Sequence, residues 1–209
     1  MSYGSDRTIN EIAKIFAAAG SEVIGRATNS EISAAPTLQK VPAVFLKPDI
    51  GCFVQFSGDY SGLFIMNFGA ATALEFYRKS MLFMGMPEEE LAAEATSDEV
   101  VDSLGEMVNQ IIGKARSMIK NEFGLSATNP QPKAIHISSV ITMAIAAPLN
   151  RPQCRRISFR SDDNNPFHIE FSMEETEFID FTANKSKKKA ASDSEKQSLS
   201  EIEELLNSF

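Results

Sequence analysis

The chain has 209 residues, 43% of them hydrophobic and 23% charged, which fits one globular domain with room for an accessory segment. Its formal net charge of −8 argues against a nonspecific nucleic-acid binder or a protein held on anionic lipid. No apolar run reaches the roughly 18–20 residues of a membrane span, and the first residues lack the pattern of a secretory signal. We therefore expect a cytoplasmic protein with no nucleic-acid or membrane partner.

Hydrophobic periodicity predicts helices and strands in an irregular order. Apolar residues recur at helical spacing over residues 8–25, 70–84 and 98–122. Strand-like runs occupy residues 41–46, 51–57, 62–68, 134–147, 154–160 and 167–173. Residues 28–40 are polar and predict a loop, and residues 58–61 are typical of a hairpin turn. This order lacks a regular alternation of strand and helix, so we predict an α+β fold with long helices on a mostly antiparallel sheet.

The composition changes abruptly near residue 183. Residues 183–197 contain no aliphatic side chain larger than alanine and no aromatic ring, so they cannot bury enough surface to order themselves. The last residues, 198–209, are apolar again at regular positions. We predict a domain over residues 1–182, a flexible linker over 183–197 and a terminal peptide over 198–209.

Metal and thiol chemistry find little support in the sequence. The two cysteines, Cys52 and Cys154, belong to no CxxC motif, and the two histidines, His136 and His168, share no metal-ligand spacing. We therefore predict neither a disulfide framework nor a metal bound by the chain itself.

The predicted helix over residues 98–122 is the most informative segment. One broad face is apolar, and Asp102, Glu106, Asn109 and Gly113 fall in a narrow stripe on the opposite face. Glu106 and Asn109 are three residues apart and therefore point the same way from the helix. A carboxylate can hold a cation there, while a carboxamide can grip and orient a water molecule.

Two glycines, Gly105 and Gly113, interrupt this helix, and each destabilises it by about 1 kcal/mol relative to alanine. Close packing against a neighbouring element would explain a glycine at either position. For Gly113 the alternative is that another molecule approaches the exposed face closely, because this glycine lies beside the Glu106 and Asn109 stripe.

Asp102, Glu106 and Asn109, followed after 22 residues by Pro132, resemble the signature of the CheC/CheX/FliY family of response-regulator phosphatases. The predicted order of elements over roughly residues 5–175 is also similar to that family. CheC and FliY carry two copies of the signature, whereas this chain carries one, as CheX does.

The resemblance implies removal of the phosphoryl group from the aspartate of a CheY-like receiver. Glu106 would dock against the receiver's active-site lysine, and Asn109 would hold the attacking water in line with the acyl phosphate. Asp102 and Gly113 would contact the partner. The Mg²⁺ would belong to the receiver, and no cofactor would be intrinsic to this chain. A homodimer with paired sheet edges is also implied.

The terminal peptide predicts a short amphipathic helix. Its apolar positions are Leu199, Ile202, Leu205, Leu206 and Phe209. Residues 201–207 resemble the CheY-binding peptides of the flagellar switch protein FliM and of the phosphatase CheZ. The peptide would therefore recruit the receiver, although a helix docked on its own domain is the alternative.

Two rival functions remain open at this point. One is a non-catalytic module that binds receivers or flagellar switch components, and the other is a domain of this fold with no role in chemotaxis. Replacing Asn109 with alanine separates the phosphatase from the non-catalytic module, because only the phosphatase loses an activity.

Overall fold

The computed structural model of the chain describes residues 5–137 and 140–178, in which all three predicted helices form. They are α1 (Ser5–Thr28), α2 (Ala70–Phe83) and α3 (Asp98–Phe123), and a short 3₁₀ turn, Glu88–Glu90, lies between α2 and α3. None of the helices in these residues is long and apolar enough to cross a membrane.

The strands form one large sheet and one small one. They are β1 (Ser33–Val41), β2 (Phe45–Leu46), β3 (Ile50–Gly58), β4 (Gly62–Phe68), β5 (Ala127–Thr128), β6 (Lys133–His136), β7 (Met143–Ala144), β8 (Gln153–Arg160) and β9 (Pro166–Met173). The large sheet has the order β1-β8-β9-β4-β3-β5, with β6 also paired to β3, and β2 pairs with β7 separately. Every pairing among these strands is antiparallel, which confirms the predicted α+β class.

The helices cover one face of the large sheet. The ring of Phe16 in α1 lies 5.0 Å from that of Phe171 in β9, and the ring of Phe76 in α2 lies 5.1 Å from that of Phe167 in the same strand. All four side chains are buried. Both helices are thus anchored on β9, a central strand, through aromatic contacts of favourable geometry.

A second, smaller core lies on the opposite face of the sheet. Its buried members are Val44, Leu46, Leu63, Ile65, Ile137 and Cys154. The segment that contains β2 supplies two of them, so it covers apolar surface that the helices do not reach.

A buried carboxylate fastens the β2 segment to the sheet. Glu170 in β9 accepts hydrogen bonds from the backbone N–H of Phe45 at 2.7 Å and from the Lys47 ammonium at 3.0 Å. The Arg156 guanidinium donates to the same carboxylate from Nε at 2.9 Å and from Nη2 at 2.7 Å. The Glu170 side chain is fully buried, so the pairing is part of the fold and not of its surface.

The loop predicted over residues 28–40 is wrong, because most of it is the edge strand β1. Among the described residues this strand pairs with β8 alone, and its register shifts between Ala34 and Leu38. None of its side chains is fully buried. Edge strands are defined by backbone pairing and not by a buried face, so the hydrophobic pattern carries no signal for β1.

Two predicted strands are shorter than the sequence indicated. The apolar run 134–147 is not one strand: β6 joins the large sheet, whereas β7 pairs with β2 in the small one. In the run 41–46, Val41 is the last residue of β1 and only Phe45–Leu46 form β2. Both runs are apolar because their side chains pack on the second core, which does not require a continuous strand.

The compact unit formed by the main domain ends at Thr176. The predicted linker and terminal peptide lie outside the described residues, and the division at residues 182 and 197 stays a prediction.

Candidate functional site

The signature helix, α3, is fixed at both ends by its own sequence. At its start the Ser97 side chain accepts a hydrogen bond from the backbone N–H of Val100, and Asp98 and Glu99 occupy the first turn, where negative charge is favourable. At its end Gly124 adopts a left-handed conformation and its N–H donates to the carbonyl of Lys120 at 2.9 Å. The helix therefore forms over a defined range.

One face of α3 is buried in the core and fixes the rotation of the helix. Its buried residues are Val100, Leu104, Met107, Val108, Ile111, Ile112, Ala115 and Ile119. Farther along, the Lys114 ammonium donates to the Glu22 carboxylate of α1 at 2.7 Å. This hydrogen bond, and the charge of Lys114, hold the pKa of Glu22 below its ordinary value, although both side chains are partly exposed.

The opposite face of α3 presents the predicted carboxylate and carboxamide together. Glu106 is exposed and Asn109 is half-buried. The Asn109 side-chain nitrogen lies 3.5 Å from Glu106 Oε2, and the Gln110 nitrogen lies 3.5 Å from Glu106 Oε1. Both distances are at the outer limit of a hydrogen bond, so Glu106 is weakly held within its own chain.

An open groove of about 470 Å³ runs between α3 and the segment that leads into β6. Its walls are Asp102, Gly105, Glu106, Gln131, Pro132, Lys133 and Ala134. Pro132 is buried at this wall. Three of the four signature positions, Asp102, Glu106 and Pro132, therefore line one groove, with Asn109 one turn farther along the helix.

The structure brings the domain's predicted site residues together on one surface. Asp102, Glu106, Asn109 and Gly113 all lie on the outward side of α3, and Gly113 is exposed. Gln131 and Lys133 also line the groove and were not predicted from the sequence, although Pro132 between them belongs to the signature. The predicted partner-binding residues of the terminal peptide lie outside the described residues, and their role stays a prediction, as does the implied homodimer.

The thiol and imidazole groups of the domain are not part of this groove. Burial raises the pKa of Cys52 to about 12, so this thiol is not an accessible nucleophile at neutral pH. Burial and the Lys47 charge lower the pKa of His168. Within the part of the chain that the structure describes, no group of three acidic, histidine or cysteine residues could hold a metal ion.

The fold of the chain is similar to that of several solved structures of chemotaxis proteins. It is similar to a CheX from Desulfovibrio desulfuricans, at 21% identity and a TM-score of 0.62, over 78% of this chain and 99% of that one. A CheX from Vibrio vulnificus gives 18% identity and a TM-score of 0.64, over 78% and 99%. The CheX of a CheX–CheY–BeF3–Mg²⁺ complex from Borrelia burgdorferi gives 18% and 0.55, over 78% and 97%. The predicted CheC/CheX/FliY resemblance is thus confirmed for the fold.

The sequence itself belongs to a family described as a protein of unknown function, DUF3334, whose model matches residues 7–204. No curated protein matches the sequence significantly. The matched residues extend past the domain to residue 204, so they include the predicted linker over 183–197 and residues 198–204 of the predicted terminal peptide.

Proposed function

We propose that the chain is a phosphatase for the aspartyl phosphate of a CheY-like response regulator. The observation that carries the proposal is the joint presentation of Glu106 and Asn109, which share one exposed helix face 3.5 Å apart. Support comes from the CheX-like fold and from the complex in which the Borrelia CheX binds CheY.

Asn109 is the residue that we assign to the attacking water. Its carboxamide offers two N–H donors and a carbonyl oxygen. It can therefore donate a hydrogen bond to a water oxygen or accept one from a water O–H. The side-chain oxygen of Asn109 accepts no hydrogen bond from the described residues and is available for this role. Water oxygen would bond to phosphorus, the bond from phosphorus to the aspartate oxygen would break, and a proton would be released with inorganic phosphate.

Glu106 is the residue that we assign to docking. Its carboxylate is exposed and has only long contacts with the other described residues, so a cationic side chain of the receiver can bind beside those oxygens. Asp102, in the same groove, would reinforce the negative potential. The helix would thus position the water by fixing the whole receiver, which is how phosphoryl transfer is chiefly accelerated.

The receiver would supply the metal ion. Mg²⁺ bound there would neutralise charge on the phosphoryl oxygens, while this chain would contribute the water and its orientation. This division of roles requires no catalytic histidine or cysteine.

The experiment is the decay of CheY charged with acetyl phosphate, with Mg²⁺ present, followed with the native chain and with Asn109→Ala. We expect the accelerated decay to fall about 100-fold in the variant, because the water loses its orienting group. Gln110→Ala is the matched control, since Gln110 contacts the same carboxylate from the neighbouring position. That control should retain activity within about two-fold.

The alternative function, a non-catalytic binding module, predicts a different result in the same experiment. If the native chain binds phosphorylated CheY without shortening its lifetime, the phosphatase proposal fails and the binding module stands. If no receiver binds at all, a role in receiver signalling is excluded for this domain.

A further inference from the structure

Four glycines lie inside the described helices, and three of them face a neighbouring atom. A Cβ added at Gly20 would meet a side-chain carbon of β9 at 3.2 Å, and one at Gly25 would meet a carbonyl oxygen just beyond α1 at 3.0 Å. At Gly105 the added Cβ would lie 3.4 Å from that of Ala134. At Gly113 it would meet nothing within 4 Å.

The domain itself therefore gives no reason for a glycine at position 113. The backbone there is ordinary helix, since the glycines with positive φ are found elsewhere among the described residues. Glycine disfavours the middle of a helix, and alanine would fit the empty space. Close packing within the chain, one of the two explanations for this residue, is excluded for the described residues.

If the receiver binds Glu106 and Asn109 as proposed, it must also pass close to Gly113. It follows Asn109 by four residues, which places it about 6 Å along the axis on the same side of α3. The asparagine side chain is short, so its carboxamide reaches another protein's active site only if the partner comes close to the helix backbone. A side chain at position 113 would project into that narrow gap.

We infer that Gly113 is a close-approach contact at which the receiver's main chain packs directly against the backbone of α3. The inference rests on the proposed function and adds the element that sets the distance between the two proteins. Glu106 would bind a cationic side chain of the partner, while the missing Cβ at position 113 would allow the carboxamide of Asn109 to reach the phosphoryl group.

The test compares Gly113→Ala and Gly113→Leu with the native chain, using phosphorylated CheY as substrate and CheY with BeF3 and Mg²⁺ as binding probe. We expect KM and Kd to rise about 10-fold for alanine and more for leucine, since a buried steric clash grows with side-chain size. The Tm should rise by about 2–4 °C for alanine, because helix propensity improves. A loss of affinity in a more stable protein cannot be caused by misfolding.

Asn121→Ala and Asn121→Leu are the matched controls. Asn121 is exposed on α3, 12 residues after Asn109, and beyond the proposed contact. These variants should leave KM and Kd unchanged.

Each alternative outcome overturns the inference. Unaltered KM and Kd in both Gly113 variants would refute the close approach, even if Asn109→Ala abolishes hydrolysis and so upholds the phosphatase. An altered oligomeric state of Gly113→Leu, with KM and Kd unaltered, would mean that a second copy of the chain approaches this face instead.

Discussion

Two glutamates of this domain differ in how completely their oxygens are bonded. Glu170 is fully buried and receives one backbone N–H and the side chains of Lys47 and Arg156 at 2.7–3.0 Å. Glu106 is exposed and, among the described residues, contacts only two carboxamide nitrogens, each at 3.5 Å. The same side chain type is thus an internal fastener in one place and an open acceptor in the other.

A second buried carboxylate follows the pattern of Glu170. Glu75 in α2 accepts hydrogen bonds from Ser161 and Asn165, which tie the helix to the loop between β8 and β9, and from Lys79 one turn farther along α2. Burial is tolerated where every oxygen is satisfied, because an unpaired buried charge is strongly unfavourable. An exposed carboxylate with weak internal contacts has no such structural role. Its oxygens can therefore accept hydrogen bonds from a partner.

The largest effect that we expect from this contrast is on folding stability. Glu170→Ala should lower the free energy of unfolding by about 3 kcal/mol, because Lys47, Arg156 and the Phe45 N–H lose their common acceptor. Glu106→Ala should change it by less than about 0.5 kcal/mol. Urea unfolding monitored by circular dichroism measures both values.

Receiver hydrolysis should show the reverse ranking for the same pair of variants when it is measured well below the unfolding midpoint. If Glu106→Ala destabilised the domain as much as Glu170→Ala, the distinction between a fastener and an open acceptor would be wrong. A loss of activity in folded Glu170→Ala larger than that in Glu106→Ala would contradict it equally.

The site was more predictable from the sequence than the sheet. The face of α3 follows from its apolar periodicity, and the rotation of an amphipathic helix fixes where Glu106 and Asn109 point. One wall of the groove could be predicted in part, since Pro132 belongs to the signature. The position of α3 beside the start of β6, however, depends on contacts between residues distant in sequence. Helical spacing is a local property, whereas a groove wall is not.

The edge strand and the buried fastener could not be predicted for related reasons. β1 has no buried face, and its pairing with β8 is specified by backbone groups that every sequence shares. Glu170 stands in an alternating strand at a position that a solvent-exposed residue would also occupy, and only the β2 segment above it makes it buried. In both cases the partner is more than 100 residues away.

As the pH falls, the folded domain should lose the stability that Glu170 contributes. Burial raises the pKa of Glu170, but the hydrogen bonds from Phe45, Lys47 and Arg156 outweigh it and lower the pKa below 4.5. A depressed carboxyl pKa contributes stability that is complete above the unfolded value and is lost as the pH falls below it. Burial and the charge of Lys47 also depress the pKa of His168 below 6.5. The stability that depends on the neutral imidazole is therefore lost at a higher pH than the stability that depends on Glu170.

We therefore expect the free energy of unfolding to fall from about pH 6.5 downward and more steeply below about pH 4.5. Chemical denaturation at a series of pH values measures this free energy. His168→Phe should remove the part of the fall that begins near pH 6.5, and Glu106→Gln is the neutral control. A stability that rose between pH 6.5 and pH 5, or a fall near pH 6.5 that persisted in His168→Phe, would contradict this assignment.

The smallest effect concerns the terminal peptide, which lies outside the described residues. If residues 183–197 form the predicted linker, its roughly 15 residues would span about 20–23 Å and hold a captured receiver near α3 at about millimolar effective concentration. Deleting residues 198–209 should therefore raise KM about 10-fold and lower turnover at saturation much less, because only capture is lost. Stopped-flow decay of phosphorylated CheY over a range of concentrations separates the two constants.

A full-length control distinguishes recruitment from mere length. Leu205→Ser with Leu206→Ser keeps the linker and the charges but removes the centre of the predicted apolar face, and it should reproduce the deletion. The peptide 198–209 added in excess should inhibit the native chain by competing for the receiver. If the deleted and native chains have equal kinetics, the tether has no part in capture, and the recognition of the receiver must come entirely from the surface of α3.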